Sequence, residues 1–231
     1  MANHIDLQAV AIVARRLEPL NTKCVFTGGA IVPLLLDHPG LVAARETKDV
    51  DVIIEVQTRL KLWELEERLR KLGFKNDSAE GAPRCRWIVD GIHVDVMPST
   101  DIHGEFGDRW FEIAIRTATL KRIDDMQIWV VSAPCLMATK LDTFLDRGND
   151  DYAMSHDIED LITIVDGRET LKSEIAESSD CRQFIGDGFT RLLASPKFRD
   201  SIQGHLLPDE ASQRRLPLIL KRMDEIAALT S

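Results

Sequence analysis

Two stretches decide the fold: VFTGGAIVPLLL at residues 25–36 and KDVDVIIEV at residues 48–56. The first predicts a strand that stops at Gly28 and Gly29 and is followed by an apolar helix. Glycine lets the backbone approach a ligand closely, and the unpaired N–H groups at a helix start attract anions. In the second, Asp49 and Asp51 alternate with valines, so a strand would present both carboxylates on one face. Together the stretches predict an anion-facing turn beside an acidic strand.

A third carboxylate lies in CRWIVDGIHVDVMP, residues 85–98. Asp90-Gly91 between alternating residues predicts a two-residue hairpin turn, which would place Arg86 opposite Asp95. The interpretation we favour for Arg86 is an ordinary cross-strand ion pair, with a phosphate contact as the alternative. If the Asp95 strand lies beside the KDVDV strand, the carboxylates are about 5 Å apart and suited to divalent cations.

The chain changes character near residue 132. Before it, strand and helix periods alternate, with helices predicted at 5–19, 29–37 and 58–72 and strands at 24–27, 50–56, around the hairpin and at 126–133. After it, the pattern is helical, with breaks predicted at Gly148, Gly167, Gly186, Pro196 and Pro208. We therefore expect an α/β (α+β) domain, a small mixed sheet flanked by helices, at 1–132, and an α-helical lobe at 133–231.

Composition narrows the function. The chain has 231 residues and a formal net charge of -9, which argues against non-specific nucleic-acid binding. Residues 182–231 nevertheless carry a net charge of +2, against -11 for the rest, and these basic side chains could guide an RNA end. Four dispersed cysteines, without a CxxC pair, predict reduced thiols, no disulfide partner and a cytoplasmic protein. We see no signal peptide and no apolar run long enough for a membrane span.

The second informative block, residues 132–168, reads SAPCLMATKLDTFLDRGNDDYAMSHDIEDLITIVDGR. Lys140 and Arg147 are seven residues apart, hence on one helix face and about 10 Å from each other, where two cations could reach nucleotide phosphates. Ser155 can cap a following helix whose first turn contains Asp157 and whose second begins with Asp160.

Over about residues 20–100 the elements follow in the order strand, Gly-Gly, helix, DxD strand and a later hydrophobic-Asp-hydrophobic strand. This order resembles that of the DNA polymerase β-like nucleotidyltransferase superfamily. The block Lys-x6-Arg-Gly followed by Asp-x-x-Asp-Leu resembles the third and fourth motifs of the AbiEii/AbiGii-type nucleotidyltransferase toxins, which extends the resemblance to about residue 170. One departure is that many superfamily members have Gly-Ser where this chain has Gly28-Gly29, so one hydroxyl to the phosphate is missing.

The resemblance implies a role for each matching residue. Gly28 and Gly29 would hold the triphosphate, while Asp49, Asp51 and Asp95 would be the catalytic metal ligands, with Asp95 also helping to activate the attacking hydroxyl. The nucleotide would be bound by Lys140, Arg147 and the aspartate of the fourth motif, and Lys140 would also have a catalytic role. That aspartate is Asp157, with Asp160 as the alternative.

The implied activity is the transfer of NMP from an NTP to an acceptor hydroxyl. The implied cofactor is Mg²⁺, with two ions bound, and Mn²⁺ is the alternative. RNA, in particular the 3′ end of a tRNA, is the expected acceptor, and a cognate antitoxin the expected partner. The alternatives are a small-molecule (antibiotic) or protein acceptor, and an inactive binding protein of the same fold. A more distant one is a metal phosphohydrolase, prompted by His156-Asp157. That class would also need an earlier histidine on a helix and a later aspartate, and the sequence around His103 predicts a loop.

Overall fold

The computed structural model describes residues 2–39, 42, 45, 47–100 and 109–230, with side chains from Leu7 onward. It divides into two compact units. The first unit contains Met1–Ile31 and Glu46–Ser132, and the second contains Val32–Arg45 and Ala133–Ser231.

A mixed seven-stranded sheet forms the centre of the first unit within the described part of the chain, in the order β3-β4-β5-β2-β1-β7-β6. Its strands are β1 (Cys24–Thr27), β2 (Asp49–Ile54), β3 (Lys75–Asn76), β4 (Arg86–Val89), β5 (Ile92–Pro98), β6 (Thr119–Ile123) and β7 (Met126–Val130). The β2–β5 and β1–β7 pairs are parallel, and the other pairs are antiparallel. The predicted mixed α/β class is confirmed.

The central strand β2 follows the alternation that its sequence predicts. Val50 and Val52 are 1% and 0% exposed, whereas Asp49 and Asp51 are partly exposed. Each buried valine contributes about 1.5–3 kcal/mol of hydrophobic stabilisation, and a one-residue slip would put these valines in solvent. The pleat therefore fixes which face carries the carboxylates.

The helices of the first unit are α1 (Ala2–Leu17), α3 (Arg59–Lys71) and α4 (Phe111–Thr117). Strand β6 and helix α4 were not predicted. Strand β6 is joined to β7 by a two-residue turn at Asp124-Asp125. Asp124 has φ +50, a left-handed conformation that aspartate tolerates better than most residues.

The second unit is helical, as its sequence predicts. Its helices are α2 (Val32–Leu35), α5 (Ala133–Arg147), α6 (His156–Gly167), α7 (Leu171–Glu177), α8 (Arg182–Ala194), α9 (Pro196–Ser201), α10 (Glu210–Gln213) and α11 (Leu216–Ala227). Helix α5 packs against α6, α7 and α8, and α11 packs against α8. Ser155 caps α6 as expected, since its hydroxyl accepts a hydrogen bond from the Ile158 N–H at 3.3 Å.

The predicted break at Gly186 is wrong, because this residue lies inside the regular helix α8. A Cβ at Gly186 would lie 2.4 Å from Thr230 Cγ2. The glycine therefore allows close packing within the second unit and does not end a helix.

The apolar segment after the glycine pair is less helical than predicted. A 3-10 turn at Gly29–Ile31 precedes the single α-helical turn Val32–Leu35. The helix ends there because its next hydrogen bonds go elsewhere: the Asp37 N–H donates to Gly167 O at 3.0 Å, and Arg168 Nη1 donates to Leu35 O at 2.5 Å. With a helix this short, the macrodipole contributes little to anion binding.

All four cysteines are free thiols: Cys24, Cys85, Cys135 and Cys181. Within the described ranges, none of the helices has the length and apolar character that crossing a bilayer requires.

Candidate active site

Three carboxylates lie on neighbouring strands of the first unit and are called here the carboxylate cluster: Asp49, Asp51 and Asp95. In the parallel β2–β5 pair, Asp51 is directly opposite Asp95. On its other side, Asp51 is opposite Thr27, the last residue of β1. The predicted adjacency of the two strands is confirmed, so the sheet register itself brings the acidic side chains together.

Gly28 follows β1 and touches this cluster. It has φ +75, and a Cβ built on it would lie 1.8 Å from Asp51 Oδ2. The Asp51 carboxylate therefore occupies space that any other residue at position 28 would fill. Gly28 is partly exposed, whereas Gly29 is buried, so Gly28 is the better placed of the two to meet a ligand.

Arg86 binds two members of the carboxylate cluster. Its Nε and Nη2 donate to the two Asp95 oxygens at 2.8 Å each, and Nη2 also donates to Asp49 Oδ2 at 2.7 Å. The cross-strand pairing with Asp95 was predicted from the hairpin and is confirmed, while the bond to Asp49 was not predicted. These hydrogen bonds to Asp95, with the attraction of both carboxylates, outweigh burial and raise the pKa of Arg86 above its ordinary value.

The carboxylate cluster fits a divalent cation in its donor chemistry, since Mg²⁺ takes carboxylate oxygens. The missing side chain of Gly28 is what allows the Asp51 carboxylate to lie at this point of the cluster. In the described residues, however, no three His, Cys, Asp or Glu side chains are arranged as a metal-binding group. Arg86 holds oxygens of two of the three carboxylates instead.

A second charged group, in the second unit, is called here the lysine cluster: Lys140, Arg45, Asp157 and Asp160. Lys140 Nζ lies 3.0 Å from Asp157 Oδ1 and 2.8 Å from Asp160 Oδ2. Arg45 Nε and Nη2 donate to the two oxygens of Asp160 at 3.0 and 3.2 Å. Two cations and two carboxylates are thus in direct contact.

The lysine cluster is largely buried. The side chains of Asp160, Lys140 and Asp157 are 2%, 11% and 24% exposed. Burial alone would lower the pKa of Lys140, but the attraction of Asp160 and Asp157 and their hydrogen bonds outweigh it, and the pKa is raised above 10.5. Of the two aspartates between which the sequence left a choice, Asp160 is held by both cations, and Asp157 is the one that stays accessible.

The other predicted residues are dispersed. Arg147 is exposed at the end of α5, seven residues after Lys140. His156 is exposed and lies 3.3 Å from Glu159, and in the part of the chain that the structure describes it belongs to no group of histidine, cysteine or carboxylate side chains that could hold a metal ion. His103 lies outside the described residues. Five basic residues of the C-terminal segment bind carboxylates or carbonyls of the chain itself: Arg199, Arg214, Arg215, Lys221 and Arg222.

Sequence reasoning missed Arg45. Its partner Asp160 is 115 residues away, a separation that no local pattern reveals. A signal did exist on the other side of the pair: Asp160 lies on the apolar face of α6, where a buried carboxylate requires cationic partners.

The sheet and the carboxylates at its centre define the nucleotidyltransferase class of fold, which solved structures share. The crystal structure of an antigenic nucleotidyltransferase-like protein from Paracoccidioides brasiliensis is similar with a TM-score of 0.55 and 20% identity, covering 90% of this chain and 96% of that chain. The solution structure of the antibiotic-resistance factor ANT(2'')-Ia is similar with a TM-score of 0.51 and 12% identity, covering 83% of this chain and 95% of that chain.

The family comparison is more specific. Residues 11–225 match the family described as nucleotidyl transferase AbiEii toxin, type IV TA system. The chain therefore belongs to the AbiEii nucleotidyltransferase toxin family and is a nucleotidyltransferase, as its motifs predict. No curated protein matches it significantly.

Proposed function

We propose that the protein transfers NMP from an NTP to a hydroxyl of RNA, with the 3′ end of a tRNA as the preferred acceptor. The observation that carries the catalytic part is the register that puts Thr27, Asp51 and Asp95 side by side, with Gly28 against Asp51. This arrangement joins a turn that can face a phosphate to carboxylates that can take a cation.

The carboxylates Asp49, Asp51 and Asp95 would hold Mg²⁺, and two such ions would lower the pKa of the acceptor hydroxyl and offset charge on the leaving pyrophosphate. The main chain at Gly28 and Gly29 would bind the triphosphate, because glycine lets the backbone approach a ligand closely. Asp95 would orient the acceptor hydroxyl for in-line attack on the α-phosphate.

Lys140 would bind a nucleotide phosphate. An ammonium group has three N–H donors, and Asp157 and Asp160 use two of them. Among the described residues these two carboxylates are its ion-pair partners, which fix the cation in position and leave the third donor for a phosphate. Arg147 would add a second, exposed cation, and the accessible Asp157 would contact the nucleotide.

RNA as the acceptor is supported by the toxin family to which the chain belongs. We also propose a cognate antitoxin as partner, from the same family description, and a cytoplasmic location, from the four free thiols. A small-molecule acceptor is the competing possibility, since ANT(2'')-Ia, which shares the fold, is an antibiotic-resistance factor.

The test is label transfer from each α-labelled NTP with Mg²⁺, offered separately to tRNA, total RNA, an aminoglycoside and protein. We expect label on tRNA, and a loss of at least about a hundredfold in Asp51→Asn, since removing one preorganised charged group costs about 10²–10³ in rate. Asp125→Asn is the matched control, because Asp125 is 80% exposed and its side chain pairs with Arg15, away from the carboxylate cluster.

Label on the aminoglycoside alone would replace RNA by a small molecule as the acceptor. Transfer that Asp51→Asn leaves unchanged would overturn the role of the carboxylate cluster.

A further inference from the structure

Arg86 contacts the same carboxylate oxygens that a cation bound to the carboxylate cluster would need as ligands. One guanidinium contacts both oxygens of Asp95 and one oxygen of Asp49, at 2.7 to 2.8 Å. Its side chain is only 24% exposed, and that of Asp95 is 12% exposed. The group is therefore a built part of the cluster and is not a mobile surface charge.

The sheet register keeps Arg86 in this place. The Asp90-Gly91 turn pairs Val89 with Ile92, and counting back along β4 puts Arg86 opposite Asp95. The parallel pairing of β5 with β2 then brings Asp49 within reach of the same guanidinium. The position of the arginine thus follows from the same local geometry that assembles the carboxylates.

A guanidinium and a dication cannot share these oxygens without conflict. Mg²⁺ binds carboxylate oxygens at about 2.1 Å, and the Arg86 nitrogens would then be within a few ångströms of it. Like charges at that distance, away from bulk water, repel strongly. One of the two must leave or weaken its contacts.

We propose that Arg86 is a resident counter-ion of Asp49 and Asp95, and that it competes with the divalent cation for these two carboxylates. In the metal-free protein Arg86 offsets the repulsion between the carboxylates, and cation binding releases it from Asp49. The inference rests on the proposed function in taking the cluster as the cation site. Such coupling is reciprocal. The factor by which cation binding weakens the Arg86 contacts is therefore also the factor by which loss of those contacts tightens cation binding.

The experiment measures cation binding and stability, without turnover. Mn²⁺ is titrated by electron paramagnetic resonance, and Mg²⁺ by thermal unfolding, on the full chain and on Arg86→Gln, Arg86→Lys and Arg16→Gln. Arg16 is the matched control, because it makes the same forked contact with Asp90 at 2.7 and 2.9 Å, in the same unit but with other partners.

We expect Arg86→Gln to bind Mn²⁺ about tenfold more tightly, within the roughly 5- to 150-fold range of coupled sites. The metal-free Tm of this variant falls, and saturating Mg²⁺ raises it by more than it raises the wild-type Tm. Arg86→Lys keeps the charge without the fork and lies in between, while Arg16→Gln binds like the wild type.

An unchanged or weaker Mn²⁺ affinity in Arg86→Gln would overturn the competition while leaving the metal site intact. Lack of binding by every protein would overturn the inference and the metal assignment together, and label transfer would then show whether the activity itself stands. Should Arg86→Gln not fold, the Arg86 Nε–H resonance of the wild type, which must shift on addition of Mg²⁺, gives the same answer.

Discussion

The carboxylate cluster and the lysine cluster are both acidic groups held by cations, but they differ in how open they are. In the carboxylate cluster the Arg86 guanidinium joins Asp49 to Asp95, and the side chains of Arg86 and Asp49 are 24% and 34% exposed. In the lysine cluster, two carboxylates face two cations, and the central Asp160 is 2% exposed. One group is partly open, and the other is largely buried.

This difference shows what each group can do without a ligand. Buried ions are stable only when each has a partner of good geometry, and every member of the lysine cluster has one. The carboxylate cluster brings three carboxylates together in a half-open place, where a divalent cation would offset their repulsion. Substitutions in the lysine cluster should therefore affect stability first, and those in the carboxylate cluster should affect cation binding and catalysis first.

The largest effect on stability is expected at Asp160. Asp160→Ala leaves Lys140 and Arg45 without their shared carboxylate in a buried place, which costs about 3–5 kcal/mol, or about 6–20 °C in Tm for a chain of this size. Asp157→Ala is the matched variant three residues away. Asp157 is 24% exposed and its ion pair is with Lys140, so its loss costs about 1 kcal/mol but weakens nucleotide binding.

Denaturant unfolding and NTP titration separate the two aspartates. If Asp157→Ala lost as much stability as Asp160→Ala and bound NTP normally, Asp157 would have only a structural role, and the distinction between the two residues would fail.

A smaller loss of stability, with a large loss of activity, is expected for Gly28→Ala. The new Cβ would meet Asp51 Oδ2, so the carboxylate must move away from Asp95. Gly91→Ala is the matched control, with φ +79 and nothing within 4 Å of the added Cβ. Both variants bear about 1–2 kcal/mol of left-handed backbone strain, and only Gly28→Ala should lose cation binding and label transfer.

Equal activity in Gly28→Ala and Gly91→Ala would mean that the contact between Gly28 and Asp51 does not position the carboxylate. The comparison isolates that contact, because the backbone strain is common to both variants.

The carboxylate cluster was largely predictable from the sequence, because each step in building it is local. Alternation puts Asp49 and Asp51 on one face, and the Asp90-Gly91 turn sets Arg86 against Asp95. The only non-local step was the pairing of β2 with β5, for which the two Val-Asp-Val segments gave a hint. The bond from Arg86 to Asp49 followed from that pairing and was missed.

The lysine cluster was only half predictable. The position of Lys140 on α5 and the Ser155 cap of α6 follow from short-range patterns, but the Arg45–Asp160 pair joins residues far apart in the chain. Tertiary contacts also decided the two misjudged elements. Gly186 stays helical because it packs against Thr230, and the helix after Gly29 ends early because Asp37 bonds to Gly167.

The smallest expected effect is a difference in pH dependence between the two clusters. The raised pKa of Lys140 means that its stabilisation is fully present below the unfolded value of 10.5 and is lost as the pH rises through the higher folded value. The difference in unfolding free energy between wild type and Lys140→Met should be constant from about pH 7 to 10 and shrink above it. The pKa of Arg86 is raised above its ordinary value, which already lies above the pH range of the experiment, so the difference in unfolding free energy between wild type and Arg86→Gln should stay constant to about pH 11.

Both comparisons are best made in a Cys85→Ser background. Burial, with the nearby charge of Asp95, raises the pKa of the Cys85 thiol to about 11, and a thiolate near Arg86 would add a charge in the same pH range. With that thiol removed, denaturant unfolding from pH 7 to 11 compares lysine with arginine alone. If the stability differences for Lys140→Met and Arg86→Gln declined equally as the pH rises, the loss of stability at alkaline pH would come from the rest of the chain and not from Lys140.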